Sequence, residues 1–180
     1  MNLYQPAMLG AALVLGLATM PLNAAPLQCG EDEHLTRAKG KILTNAVDPG
    51  TTLGTVHLIL EKRRLKCGIL GQGGAANGTA NFIHTLVCDD AFESPLTGDV
   101  IHSQISLATS GVTNFQTCPP GFPPSSATGT FTETSTPIPG TGRGIFEGLA
   151  TGNLEIEGTL NCLFSLDMEF EGAFCLKSEY

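Results

Sequence analysis

The chain has 180 residues, 42% of them hydrophobic, with 9 Lys and Arg against 17 Asp and Glu for a formal net charge of −8. Such an acidic chain lacks the basic footprint that nucleic acid binding requires, so nucleic acid is excluded as an expected partner. The length suits one domain with a sizeable core.

Taken in order, residues 1–25 read as an export signal. Ala7 to Leu17 is apolar, and Met20-Pro-Leu-Asn-Ala-Ala25 ends in small residues suited to cleavage, although Lys and Arg are missing from the first residues. A membrane anchor is the alternative, but the apolar run is short against the ~20 residues of a span. Pro26-Leu-Gln28 before Cys29 does not form a lipoprotein cleavage box. The expectation is a secreted or periplasmic protein with no membrane attachment after cleavage, whose residues 26–180 form a single all-β domain.

All six cysteines (Cys29, Cys67, Cys88, Cys118, Cys162 and Cys175) lie in that part. An even count in an exported chain predicts three disulfides. Cys67 and Cys88 fall on neighbouring predicted strands and are the best single pair, contributing on the order of 3 kcal/mol through loop closure. There is no Cys-x-x-Cys pair, so neither zinc nor any other cofactor is expected.

Leu27 to Ala38 reads as an irregular lead-in, and Lys39 to Val47 as a first strand. Asp48-Pro-Gly50 is a turn in which Pro sets φ and Gly takes the positive-φ position. Strands are predicted over Leu53–Leu60 and Leu65–Leu70, joined by the basic turn Glu61-Lys-Arg-Arg64. With Lys66 that turn is either an anion contact or a solvated hairpin. Gly71 to Gly78 reads as a glycine-rich loop. Gly71-Gln-Gly73-Gly-Ala-Ala76 mimics a dinucleotide fingerprint, but a strand pattern follows where a helix N-terminus is needed. Asn77-Gly-Thr79 is both a hairpin turn signal and a glycosylation sequon.

Ala80–Cys88 and Thr97–Leu107 are the next strands. Residues 118–128 form a surface excursion pinned at Cys118, because four prolines between Cys118 and Ser126 remove backbone donors. Gly129 to Thr136 is a threonine-rich strand. Asn153–Asn161 alternates strictly, with Leu154, Ile156, Gly158 and Leu160 on one face and Glu155, Glu157, Thr159 and Asn161 on the other. Leu166 to Phe174 repeats the pattern, so the two read as an antiparallel hairpin. The result is eight or nine strands about 10 to 15 residues apart, an antiparallel barrel with a β-sandwich as the alternative.

Gly140, Gly142, Gly144, Gly148 and Gly152 punctuate the way into that hairpin. The run Gly142-Arg-Gly-Ile-Phe-Glu-Gly148, followed by Thr151-Gly-Asn-Leu154, resembles the glycine-rich strand-turn-strand motif of the allene oxide cyclase and dirigent-like barrels and of small secreted bacterial proteins of similar pattern. The resemblance implies an eight-stranded antiparallel barrel with a central cavity. The motif is structural in those families, so it carries over no catalytic residue.

Of the four histidines, His84 shares a strand face with Phe82, Leu86 and Cys88, which points it into an apolar interior. It is either a ligand contact or general base in a cavity or a hydrogen-bonded core residue. His102 shares a face with Gln104 and Ser106, and His57 with Thr55 and Ile59. Phe82, His84 and Leu86 are the candidate ligand-binding residues, and no catalytic residue or metal site is assigned. Glu155, Glu157, Asp167, Glu169 and Glu171 gather on one sheet face. They could attract Ca²⁺ or a basic partner, and they repel one another unless Lys39 or Lys41 lies alongside. The leading expectation is a non-catalytic barrel that binds a small apolar ligand. The alternatives are a cyclase- or isomerase-like enzyme in the cavity and an extracellular interaction module using the acidic face.

Overall fold

The computed structural model describes residues 26–93, 97–116, 118, 120–121 and 127–177. The expected export signal over 1–25 and most of the proline-rich excursion therefore lie outside the described residues. Eight strands follow in order: β1 (Glu33–Asp48), β2 (Thr51–Leu60), β3 (Arg63–Ala76), β4 (Thr79–Glu93), β5 (Val100–Phe115), β6 (Ala127–Pro137), β7 (Gly152–Asn161) and β8 (Ser165–Lys177), with one 3-10 turn at Gly144–Phe146. Each strand pairs antiparallel with the next, and β8 pairs with β1 to close the barrel. The barrel, not the sandwich, is the architecture, and closure leaves no free sheet edge.

Alternation decides which side is inside. On β1, Thr36, Ala38, Ile42 and Thr44 are buried while Arg37, Lys39, Lys41 and Leu43 are exposed. On β7 and β8 the inward set includes Leu154, Ile156, Met168, Phe170 and Phe174. The acidic side chains of β7 and β8 all stand outside. Glu155 pairs in register with Glu171, and Glu157 with Glu169. Lys39 and Lys41 pair with Glu171 and Glu169 from the other side, so cations do lie alongside. Lys41 bonds Asp167 at 2.9 Å, and that carboxylate holds the ammonium above its ordinary pKa.

Several boundaries differ from the sequence reading. β1 starts at Glu33, inside the expected lead-in, because β8 runs out to Lys177 and supplies partners for Glu33 to Ala38. The expected loop at Gly71 to Gly78 is strand as far as Ala76, paired with β4 from Thr79 to His84. β5 covers Val100–Phe115 where Thr97–Leu107 was expected. Gly50 does not take a positive φ; its N–H donates instead to the Asp48 carboxylate at 2.8 Å. Asn77 and Gly78 both take positive φ, at 53° and 78°, the signature of a type I′ hairpin turn.

The disulfides are Cys29–Cys175, Cys67–Cys88 and Cys118–Cys162. Cys67 and Cys88 face each other in register on β3 and β4. Cys118–Cys162 ties the segment after β5 to the turn after β7, which pins the proline-rich excursion at Cys118 as expected. Among the described residues, no helix is long and apolar enough to cross a membrane.

Up-and-down topology gives the barrel two distinct ends. The turns after β1, β3, β5 and β7 lie at one end, here the mouth. The turns after β2 and β4 and the long connection from β6 to β7 lie at the other. That connection is not the strand-turn-strand expected of the glycine run. It turns inward through the 3-10 turn and closes the far end with Phe146 and Leu149, 0% and 2% exposed. Gly144 lies at φ +67°, and a Cβ there would stand 2.4 Å from Ser103 Oγ. Ser103 Oγ accepts the Ile145 N–H at 3.1 Å and donates to the Asp90 carboxylate, so the plug hangs from β5 and β4.

Candidate ligand-binding cavity

Side-chain size divides the interior into two halves. Toward the plug, the inward positions carry Ile, Leu, Val and Phe, among them Ile42, Val56, Ile69, Ile105, Leu154 and Phe170. The void left between them is about 20 Å³, room for a single water. Toward the mouth, the same strands turn to small residues. Ala46 on β1, Thr52 on β2, Ala75 on β3 and Ala80 on β4 line a cavity of about 510 Å³. Gly111 and Gly129 stand at inward positions of β5, β6 on the opposite wall. A volume of this order is that of a small-molecule site.

Most of the remaining wall is apolar: Phe82, Phe131, Leu160 and Leu166, with Val47, Pro49, Phe115 and Phe164 at the rim, and Asp48, Thr51, Thr113 and Glu133 are its polar members. Val47, Phe115 and Phe164 are 57%, 44% and 60% exposed.

Beneath the cavity lies a polar layer. His84 Nδ1 is 2.9 Å from Thr109 Oγ1, and the Thr109 and Ser135 hydroxyls share a hydrogen bond. All three residues are buried. Burial lowers the His84 pKa from 6.5 to about 4, so the ring is neutral near pH 7. The Phe82 ring stacks on it, with centroids 5.6 Å apart and planes inclined by 11°. Gly71 makes this layer possible: a Cβ there would sit 2.8 Å from His84 Nε2 and 2.3 Å from Thr52 Oγ1.

The structure thus separates the three candidate residues. Phe82 lines the cavity. His84 and Leu86 face the interior as expected, but they line the small void below, where packing leaves no place for a ligand. His57 is exposed on the outer wall. His102 Nδ1 lies 3.1 and 3.0 Å from the carbonyls of Cys88 and Asp90, where the β4–β5 register shifts between Val87 and Ala91.

Phe82 is the one sequence candidate among the lining residues; of those that escaped the sequence reading, Glu133 has the most consequence. Burial raises its pKa from 4.5 to about 7. Among the described residues, neither a hydrogen bond nor an ion pair engages its carboxyl. The signal was present in Phe131-Thr-Glu-Thr-Ser135: if Phe131 faces inward, period-2 alternation puts Glu133 and Ser135 on the same face. Gly111 lies opposite Glu133 in register, and a Cβ there would stand 2.6 Å from Glu133 Cγ. The glycine gives the side chain its room. No protein-family model, curated protein or solved structure matches this chain.

Proposed function

We propose that the chain is an exported, non-catalytic barrel that binds one small apolar ligand in the mouth half of its interior. The observation that carries this reading is the cavity of about 510 Å³, walled by alanine and aromatic side chains, at one end of an otherwise packed barrel. A barrel of eight strands has just enough width to be filled by its own side chains or to hold one small ligand. Here the inward residues do the first in one half and the second in the other. The three disulfides accord with an exported protein.

A cyclase- or isomerase-like activity draws support from one feature, a titratable carboxyl on the cavity wall. Among the described residues the other titratable group on that wall is Asp48, a second carboxylate, and His84 is shut below the floor and neutral. The interaction-module reading has the exposed acidic face, but Lys39 and Lys41 already stand against it.

Titration of the oxidised domain with Nile red, a neutral apolar fluorophore, tests the proposal. We expect saturation at one probe per chain with blue-shifted emission. Weak, non-saturating fluorescence at all concentrations would overturn it. Mass spectrometry of an organic extract of the protein purified from its source then identifies what it carries.

A further inference from the structure

One polar group stands out on the cavity wall, and its chemistry restricts what can bind. Glu133 lines the cavity and is an acceptor without a partner among the described residues. Thr52 also lines the wall, but its Oγ1 is fully buried beside Gly71 and the His84 ring and is not presented to the cavity. A buried polar group without a partner is costly, and a ligand that satisfies it gains what the empty protein lacks. Among the described residues, Asp48 is the only other charged residue on that wall, and neither Lys nor Arg lines it. The described wall therefore offers carboxyl acceptors to a ligand's polar end, and offers a carboxylate no cation.

We propose that the cavity selects an amphiphile with a hydrogen-bond-donating head, a primary amine or an alcohol, and rejects one with a carboxylate head. The head sits against Glu133, and the aliphatic body lies against Phe82, Phe131 and Leu160. An ammonium head is preferred, because the Glu133 carboxylate then has a counter-charge in a place where an isolated charge is disfavoured. An alcohol donates to the same carboxyl. A carboxylate head would bring a second negative charge beside Glu133 with no compensating cation.

This inference rests on the cavity being a ligand site, and the test separates the two claims. Decylamine, decanol and decanoate have the same body and differ in the head. Each is titrated against the Nile red complex at neutral pH, below its aggregation concentration. We expect decylamine to displace the probe best, decanol next, and decanoate at least tenfold more weakly than decylamine. Glu133→Gln should lower decylamine affinity about tenfold and narrow the gap to decanoate. Circular dichroism confirms that the variant folds, and the order among the three heads on the native sequence decides the matter if it does not. Equal displacement by all three, or an order that Glu133→Gln leaves unchanged, would overturn head-group selection while the cavity reading stands. Failure of Nile red itself to bind would remove both.

Discussion

Glu133 is half-buried on the cavity wall and His84 is buried a layer below it, and desolvation acts on them with opposite sign. The Glu133 carboxyl ionises at 4.5 in its ordinary setting and at about 7 in the folded chain. Between those values the folded state holds a proton that the unfolded state has released. Stability therefore falls as pH rises through this window, and the full penalty is present above about pH 7. His84 behaves in reverse. The unfolded chain protonates it near 6.5 and the folded chain only near 4, so stability falls as pH drops through that window. Each displacement is worth at most about 3 kcal/mol, less for Glu133, which is partly solvated from the cavity. Asp48 is the other carboxylate facing the same space. Where the windows overlap, the contributions of Glu133 and His84 oppose each other. Glu133→Gln should expose the His84 slope alone, with the unfolding temperature climbing between pH 4 and 6.5 and a net gain in stability at pH 8. His84→Gln should show the falling slope of Glu133. Calorimetry at closely spaced pH values reads both. A Glu133→Gln profile identical to that of the native chain would mean that the carboxyl titrates as if in water.

At the scale of elements, the connection from β6 to β7 closes the far end. Phe146 carries that closure: its ring is fully buried and meets Phe174 edge-on, with centroids 6.2 Å apart. Phe146→Ala should cost about 3–5 kcal/mol by chemical denaturation. It should leave Nile red binding at the mouth intact, because the packed layer and the His84 network lie between. Loss of probe binding in a folded Phe146→Ala protein would show that the two halves are not independent. The plug was not legible in the sequence. Glycines at 142, 144 and 148 suit a hairpin as well as a chain reversal, and nothing local says that Phe146 finds its pocket among residues far away in sequence. The hairpin of β7 and β8 was legible throughout, since one face is aliphatic and aromatic and the other acidic, and alternation of that contrast has one reading. β3 lies between these cases. Its lower half, Leu65 to Ile69, alternates visibly. Its upper half, Gly71 to Ala76, reads as a loop because the inward positions there are glycine and alanine.

That failure follows from the design of the whole molecule. A strand that walls a cavity must present small residues inward, and small residues weaken the pattern by which a strand is recognised. The cavity and the illegible half of β3 thus have one cause, and the same cause hid Glu133, whose place inside was visible only from the parity set by Phe131. The arrangement also has a thermodynamic consequence. A barrel of this width could fill itself to the mouth, as it does around Phe170 and Ile105, and an unfilled interior forgoes both dispersion contacts and buried area. Ala80 is 2% exposed and lines the cavity, so a larger side chain there would enter space that is free. Ala80→Phe should raise the unfolding free energy by about 0.5–2 kcal/mol, the usual return on filling a cavity. The same ring occupies the place of the ligand's body, so Nile red binding should be lost together with every head-group preference. A protein that is more stable with its cavity filled, and binds only when it is empty, holds that space for a ligand. If Ala80→Phe were instead destabilising and left probe binding unchanged, the walls would already be in contact in solution, and the bound probe would have to sit elsewhere on the barrel.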